Sequence, residues 1–445
     1  MMRKQYLAVI VLAACILGGC AKSAVMDVEV ISGEDTISEE TVIVEREQEE
    51  TTMKQTQLSE ERKEDSSCSY EAFNKFSYRF FQENMEEENP VLSPVSAYAA
   101  LSMVGLGAQD STKEEFTAVL GDDTDITTIC NNLMTMLPTS SENTTVTLAN
   151  SAWINDNFTV YDSWLANMDA VMRSEVFHTN LSDSAIVGTV NEWVKRNTNG
   201  LIETMVDRPF DANTSLVLFN TIYFKAKWEN SFDSEAVYDD AFYSETGNEL
   251  RTQIMHKETM MQYIANDFAE GVLLPYRTTQ DADGNFAFVA LKPIDEDGTI
   301  RDVCEKLTDT VIDDMLANQQ MIQVNLKLPK YEISFDRELN QSLANMGLQS
   351  AFDAVNANFK GIGESSSGRA ENNLYIDLVR QKAKIIVDEE GTEAAAATGI
   401  MMRFAAARPE EAKNVWFDRP FVYIIIDMDK EIPLFIGILD NPAGL

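Results

Sequence analysis

One stretch constrains this chain more than any other: residues 389–408, EEGTEAAAATGIMMRFAAAR. Between Thr392 and Phe404 it is poor in charge, and it is built largely of small residues. Read as a strand, its side chains alternate between two faces. Thr392, Ala394, Ala396, Thr398, Ile400, Met402 and Phe404 share one face, and none is charged. The other face carries Glu393 and Arg403. One face therefore suits a hydrophobic layer while the other stays wet. Alanine is the best helix former, so composition alone favours a helix. Gly391 and Gly399, beside Thr392 and Thr398, weaken that case. A stretch that fits both a loop and a buried strand is a candidate for a segment that moves.

The rest of the chain bounds the class. Its 445 residues suffice for one large domain or two to three ordinary ones. A net charge of −38 argues against nucleic acid, heparin-like polyanions and anionic membrane surfaces as partners. Cysteines stand at 15, 20, 68, 130 and 304, without metal-ligand spacing, and the histidines are His178 and His256 alone. There is no HExxH, Walker A or paired CxxC. The run Gly363-Glu364-Ser365-Ser366-Ser367-Gly368 has the wrong spacing for a nucleophile elbow. No catalytic residue, metal ligand or cofactor is expected, and the chain does not read as an enzyme.

The amino terminus reads as an address. Arg3 and Lys4 precede an apolar run over 6–17, about a dozen residues and too short to span a bilayer comfortably. The run ends in Leu17-Gly18-Gly19-Cys20, which resembles the lipobox of bacterial lipoproteins. That resemblance implies cleavage before Cys20 and lipid on its thiol, with the chain anchored on the extracellular face of the cell membrane or shed from it. The alternative is an ordinary cleavable signal with an incidental cysteine. Residues 21–67 hold 14 acidic and 5 basic residues and no aromatic, a composition expected to form a disordered tether. The expected division is a signal peptide at 1–19, the lipidated cysteine and tether at 20–69, and a folded domain at 70–445.

Within the folded part, Phe73, Phe76 and Phe80 fall on one face of a helix starting near Tyr70. Ser93 and Ser96, in the run 89–96, suit a helix cap. Ser111 with Glu114 reads as a capping box. Strands are expected at 147–153, 286–291, 321–335, 374–388, 422–427 and 434–439, and a helix at 164–177. The unbroken apolar run 216–228, LVLFNTIYFKAKW, predicts a strand buried on both faces, in which Asn220 must find a hydrogen bond.

Glu389-Glu390-Gly391-Thr392-Glu393-Ala394-Ala395-Ala396-Ala397-Thr398 resembles the hinge of the serpin family of protease inhibitors. Further similarity lies in 89–96, Ser174-Glu175-Val176-Phe177, Asn191-Glu192-Trp193-Val194, Thr198-Asn199-Gly200-Leu201-Ile202, 216–228, Leu328-Pro329-Lys330 and Phe417-Asp418-Arg419-Pro420-Phe421. Together these cover about 70–442. The resemblance implies the α+β serpin fold: a large central, mostly antiparallel sheet, further sheets, eight or nine helices and an exposed reactive loop at about 389–412. It places Ser93, Ser96 and Asn220 in the shutter where the sheet parts, and Trp228 at the breach, unless Trp228 is an ordinary core aromatic. It pairs Lys330 with Glu389, unless Lys330 is merely exposed. Gln381 stands where the family usually has a histidine; an amide does not titrate near neutrality.

The same resemblance implies a suicide substrate for a serine protease, trapped as an acyl-enzyme when the cut loop enters the central sheet. Seventeen residues counted from Glu389, inclusive, give Ala405-Ala406 as the bond attacked. Small residues there fit elastase-like enzymes. Phe404 would suit a chymotrypsin-like target, and Arg403 or Arg408 a trypsin-like one. The expected inhibitor is a monomer whose partners are proteases, with membrane contact only through its lipid. The other reading is a serpin fold that serves as a binding protein on the cell surface; bulky or charged residues at Thr392, Ala394 or Ala396 would favour it, and none is present.

Overall fold

The computed structural model describes residues 68–278, 284–295, 297–366, 373–392 and 412–442. The sites expected at Cys20, Glu393, Ala394, Ala395, Ala396, Ala397, Thr398, Arg403, Phe404, Ala405 and Ala406 lie outside the described residues, as does the expected tether up to residue 67.

The central sheet has seven strands: β1 (Thr139–Ser140), β2 (Thr144–Asn155), β3 (Glu175–Thr179), β4 (Leu216–Lys227), β5 (Tyr331–Glu338), β6 (Ile376–Val387) and β7 (Gly391–Thr392). Their order is β5-β6-β7-β4-β2-β1, with β3 added along β2 and β6 also paired to β4. A second sheet of nine strands includes Glu249–Ala265, Ala269–Pro275, Phe286–Pro293, Gln320–Pro329, Phe421–Asp427 and Ile432–Leu439, with Lys413–Trp416 at its edge. Most pairs are antiparallel, and the described residues contain nine α-helices.

β4 is apolar on both sides because both of its faces are covered. Leu216, Leu218, Ile222, Phe224 and Ala226 enter the main core, whereas Val217 and Phe219 join a smaller cluster with Trp153 and Trp193. The second cluster lies beneath the helix Ala185–Asn197, which contributes Ile186, Val190, Trp193 and Val194. Two covering layers turn the usual alternation into a continuous apolar run. The aromatic face read near Tyr70 is equally direct: helix α1 (Glu71–Gln82) buries Phe73, Phe76 and Phe80. Helix α2 (Pro94–Gly105) is buried at every position.

Three expectations need correction. Helix α3 (Asp110–Leu120) starts before Ser111, and its first residue follows Gln109, which makes no side-chain cap. Its entry is held instead by Gln109 N–H donating to the Asn358 carbonyl, a contact with a distant segment. The helix expected over 164–177 is shorter: Asp162–Asn167 is α-helical and Met168–Met172 a π turn. Trp164, Met168 and Met172 keep the helical spacing that suggested it. Arg173 then turns left-handed, φ 46°, and Glu175–Thr179 becomes β3 by parallel pairing with β2. Phe177 stacks on Trp153 at 3.8 Å, so a distant strand decided that segment. The single strand expected over 321–335 is two strands, parted at Lys330, whose N–H donates to the Gln253 carbonyl.

Candidate functional site

The seam between β6 and β4 holds the residues singled out from the sequence. Its lower part is closed. Ile376–Gln381 runs parallel to Leu216–Asn220, ending where Gln381 faces Asn220. Both side chains point into the main core, on the side of α2. Gln381 Nε2 donates to the Ser93 carbonyl at 2.9 Å and to Asn220 Oδ1 at 3.3 Å, while its Oε1 accepts from Ser93 N–H at 3.0 Å. One amide thus ties two strands to the start of a helix. Ser93 also caps α2, its Oγ accepting from Ser96 N–H at 3.3 Å. Among the described residues the hydroxyl of Ser96 has no partner, nor has Nδ2 of Asn220, nor Oδ1 of Asn150, the residue facing Asn220 on β2. Asn220 is therefore only half satisfied. A buried polar atom left unpaired costs about 1–3 kcal/mol.

Above that point the ladder stops. Residues 382–386 of β6 and 221–225 of β4 are not paired with each other, although each strand keeps its other neighbour. At the top the gap is filled again, by the chain itself. After Val387 the backbone reverses at Asp388, whose Oδ1 accepts from the N–H groups of Glu390 and Gly391. Gly391 and Thr392 then run back down as β7. Thr392 pairs with Val387 on one side and Ala226 on the other, both antiparallel. A Cβ on Gly391 would lie 2.1 Å from the Ala226 carbonyl oxygen, so the entering backbone needs glycine there. Thr392 is 1% exposed, and its hydroxyl shares a 2.6 Å hydrogen bond with the Tyr276 hydroxyl. The loop expected to be exposed from residue 389 thus has Gly391 and Thr392 inside the sheet.

Trp228 secures the entry. Its ring is buried, stacks on Tyr276 at 4.7 Å and meets Phe288 edge-on. Its indole N–H donates to the Asp388 carbonyl and its backbone N–H to the Glu390 carbonyl, both at 2.8 Å. It is a core aromatic and also the anchor of the turn. Lys330 Nζ donates to Glu389 Oε2 at 2.5 Å. Burial pushes the Glu389 carboxyl up, but the Lys330 hydrogen bond and charge outweigh it and hold the group below the usual range. The Asp388 carboxyl is raised by burial, opposed by its two backbone donors. Sequence reading missed Asp388 and Tyr276. The turn chemistry of Asp388, three residues before Gly391, was a usable signal; Tyr276 left none, because its role depends on a contact across the fold.

Comparison with known proteins agrees with this architecture. The family described as Serpin (serine protease inhibitor) matches residues 71–442. Serpin-Z7 of Hordeum vulgare is 32% identical over 374 residues, covering 80% of this chain and 90% of that protein. Among solved structures, the thermophilic serpin Tengpin in its native state superposes with a TM-score of 0.76 at 30% identity, covering 83% of this chain and 93% of that one. Its latent state gives 0.70 at 28% identity, covering 83% and 96%.

Proposed function

Because the chain belongs to the serpin family, relatives of which are named as serine protease inhibitors, we propose that it inhibits a serine protease by offering residues 389–412 as bait and inserting them, once cut, between β6 and β4. The observation that carries this reading is the half-open seam with Thr392 already seated at its top. Continuing the register of β7 gives the inserted strand its places. Ala394 would lie between Ile385 and Phe224, and Ala396 between Ala383 and Ile222. Thr398 would fall between Gln381 and Asn220, bringing a hydroxyl to the unpaired Asn220 Nδ2. The core-facing positions from Thr392 to Thr398 are small, as the space between two packed strands requires, and Ile400, Met402 and Phe404 follow on the same face.

Insertion would complete ladder bonds for residues 382–386 and 221–225, each hydrogen bond contributing about 0.5–1.5 kcal/mol net. It would also bury apolar surface at about 25 cal/mol per Å². The uncut form is then held by a kinetic barrier. The protease attacks Ala405-Ala406, forms its acyl-enzyme on Ala405, and is carried with the moving strand before water can release it. Small residues at the bond support an elastase-like target. Lipid attachment at Cys20 would hold the inhibitor at the outer face of the membrane, on an acidic tether.

Incubation with pancreatic elastase should give an adduct stable on denaturing gels, and mass spectrometry of the released peptide should begin at Ala406. A main complex-forming cut after Arg403 would refute the elastase assignment. Adduct formation by none of a panel of serine proteases would refute inhibition itself.

A further inference from the structure

The outward face of the second sheet carries a surface that loop insertion does not use. We infer that Met260 and Met321, with Gln262 and Gln323 beside them, form a docking patch for the body of the protease that attacks the loop; this rests on the inhibitory reading above. In the ladder between Glu249–Ala265 and Gln320–Pro329, Met321 faces Gln262 and Gln323 faces Met260, so the four side chains share one face. Met261 and Val324 point the other way and are buried. Met260 is 53% exposed and Met321 57%.

The neighbouring part of the same face is already occupied by its own contacts. Tyr238 stacks on His256 at 4.1 Å, Lys327 donates to Asp240 at 2.7 Å and lies over the Trp416 ring, and Asn325 donates to Asn414. Gln323 donates to Glu258 at 3.5 Å, and the two methionines are the large apolar side chains that this end of the face leaves open.

Position identifies the partner. Strand Lys413–Trp416 brings the chain back from the loop and pairs in parallel with Val324 onward, leaving residues 320–323 projecting on the side from which the loop returns. Lys413 lies seven positions after Ala406, at most about 23 Å of extended chain. A protease domain of about 230 residues is roughly 45 Å across. An enzyme seated on the Ala405-Ala406 bond would therefore overhang the patch. Methionine is flexible and polarizable, and is enriched at protein interfaces. The four side chains are uncharged, and Glu258 borders them on the same face.

The test compares rates of adduct formation with excess elastase, or with whichever panel protease forms the adduct. The double variant Met260→Glu/Met321→Glu should react about tenfold more slowly, with unchanged stoichiometry and unchanged final adduct. Val355→Glu, at an apolar residue 79% exposed outside this face, should react like the wild type. Met260→Lys/Met321→Lys should slow as well; acceleration by lysine would mean long-range charge and overturn the patch. Equal rates for the wild type and both double variants would also overturn it and leave inhibition standing. No adduct from the wild type with any protease would overturn the inhibitory reading and the patch together. A dimer in sedimentation that the double variants lose, with unchanged rates, would assign the face to a second copy instead.

Discussion

The two ends of one seam differ. Below, β6 and β4 are joined by parallel pairing and by Gln381, a single amide that engages Asn220 and both backbone groups of Ser93. Above, the strands part, and among the described residues the gap is closed by Gly391 and Thr392 under Trp228 and Tyr276. The lower end is a latch with unpaired polar atoms around it; the upper end is a doorway whose first occupant is in place. A sheet so arranged has an obvious direction in which to accept a strand, from the top down, and one polar contact that must give way at the bottom.

The largest expected effect lies at the doorway. Thr392→Arg puts a charged side chain where the native one is 1% exposed between Val387 and Ala226. The variant should be cut as an ordinary substrate with the denaturation-stable adduct lost; wild-type adduct yield on gels would break the contrast between open and closed ends. Trp228→Ala removes the stacked anchor of the turn and should lower stability by about 3–5 kcal/mol in denaturant titration. A loss below 1 kcal/mol would show that the turn holds without it.

At the latch, Gln381→Ala strips Ser93 of both backbone partners inside the core. The expected cost is about 1–3 kcal/mol, accompanied by self-association at a lower temperature as the seam opens. Light scattering during heating checks this, and an unchanged onset would demote Gln381 to one polar residue among several. The latch should also be indifferent to pH near neutrality, because an amide has no proton to gain there.

The smallest effect belongs to Lys330→Met. The pair with Glu389 is partly exposed and screened, worth about 0.2–1 kcal/mol. The Glu389 carboxyl is held below its ordinary value of 4.5 in the folded state. Its contribution is therefore present above that value and fades as pH falls through the lower, folded one. Melting temperatures of the wild type and Lys330→Met should differ at pH 7 and converge in acid. A gap that widens in acid would reverse the sign and remove the pair from the doorway.

Much of this seam was legible in the residues themselves. A run such as 216–228 must be covered on both faces, and the glycines and threonines around the alanines after Gly391 weaken the helix that alanine alone would favour. Asn220 within an apolar run signalled a polar contact, though not that half of it would go unmet. Other features had no local trace. Ser111 has the chemistry of a cap, yet Asn358 set where α3 begins. Residues 173–177 continue a helical reading, but the edge of β2 drew them into β3.

The sequence by itself determined which segments are apolar on one face or two and where small residues replace large ones, and its motifs carry the resemblance to the family. Only the tertiary structure decided where the ladder between β6 and β4 stops, that Thr392 is already inside it, and that Met260 and Met321 share an open face. The reason is range: burial periodicity is written in neighbouring residues, whereas the end of a ladder depends on which distant backbone lies alongside, and no residue carries that information alone.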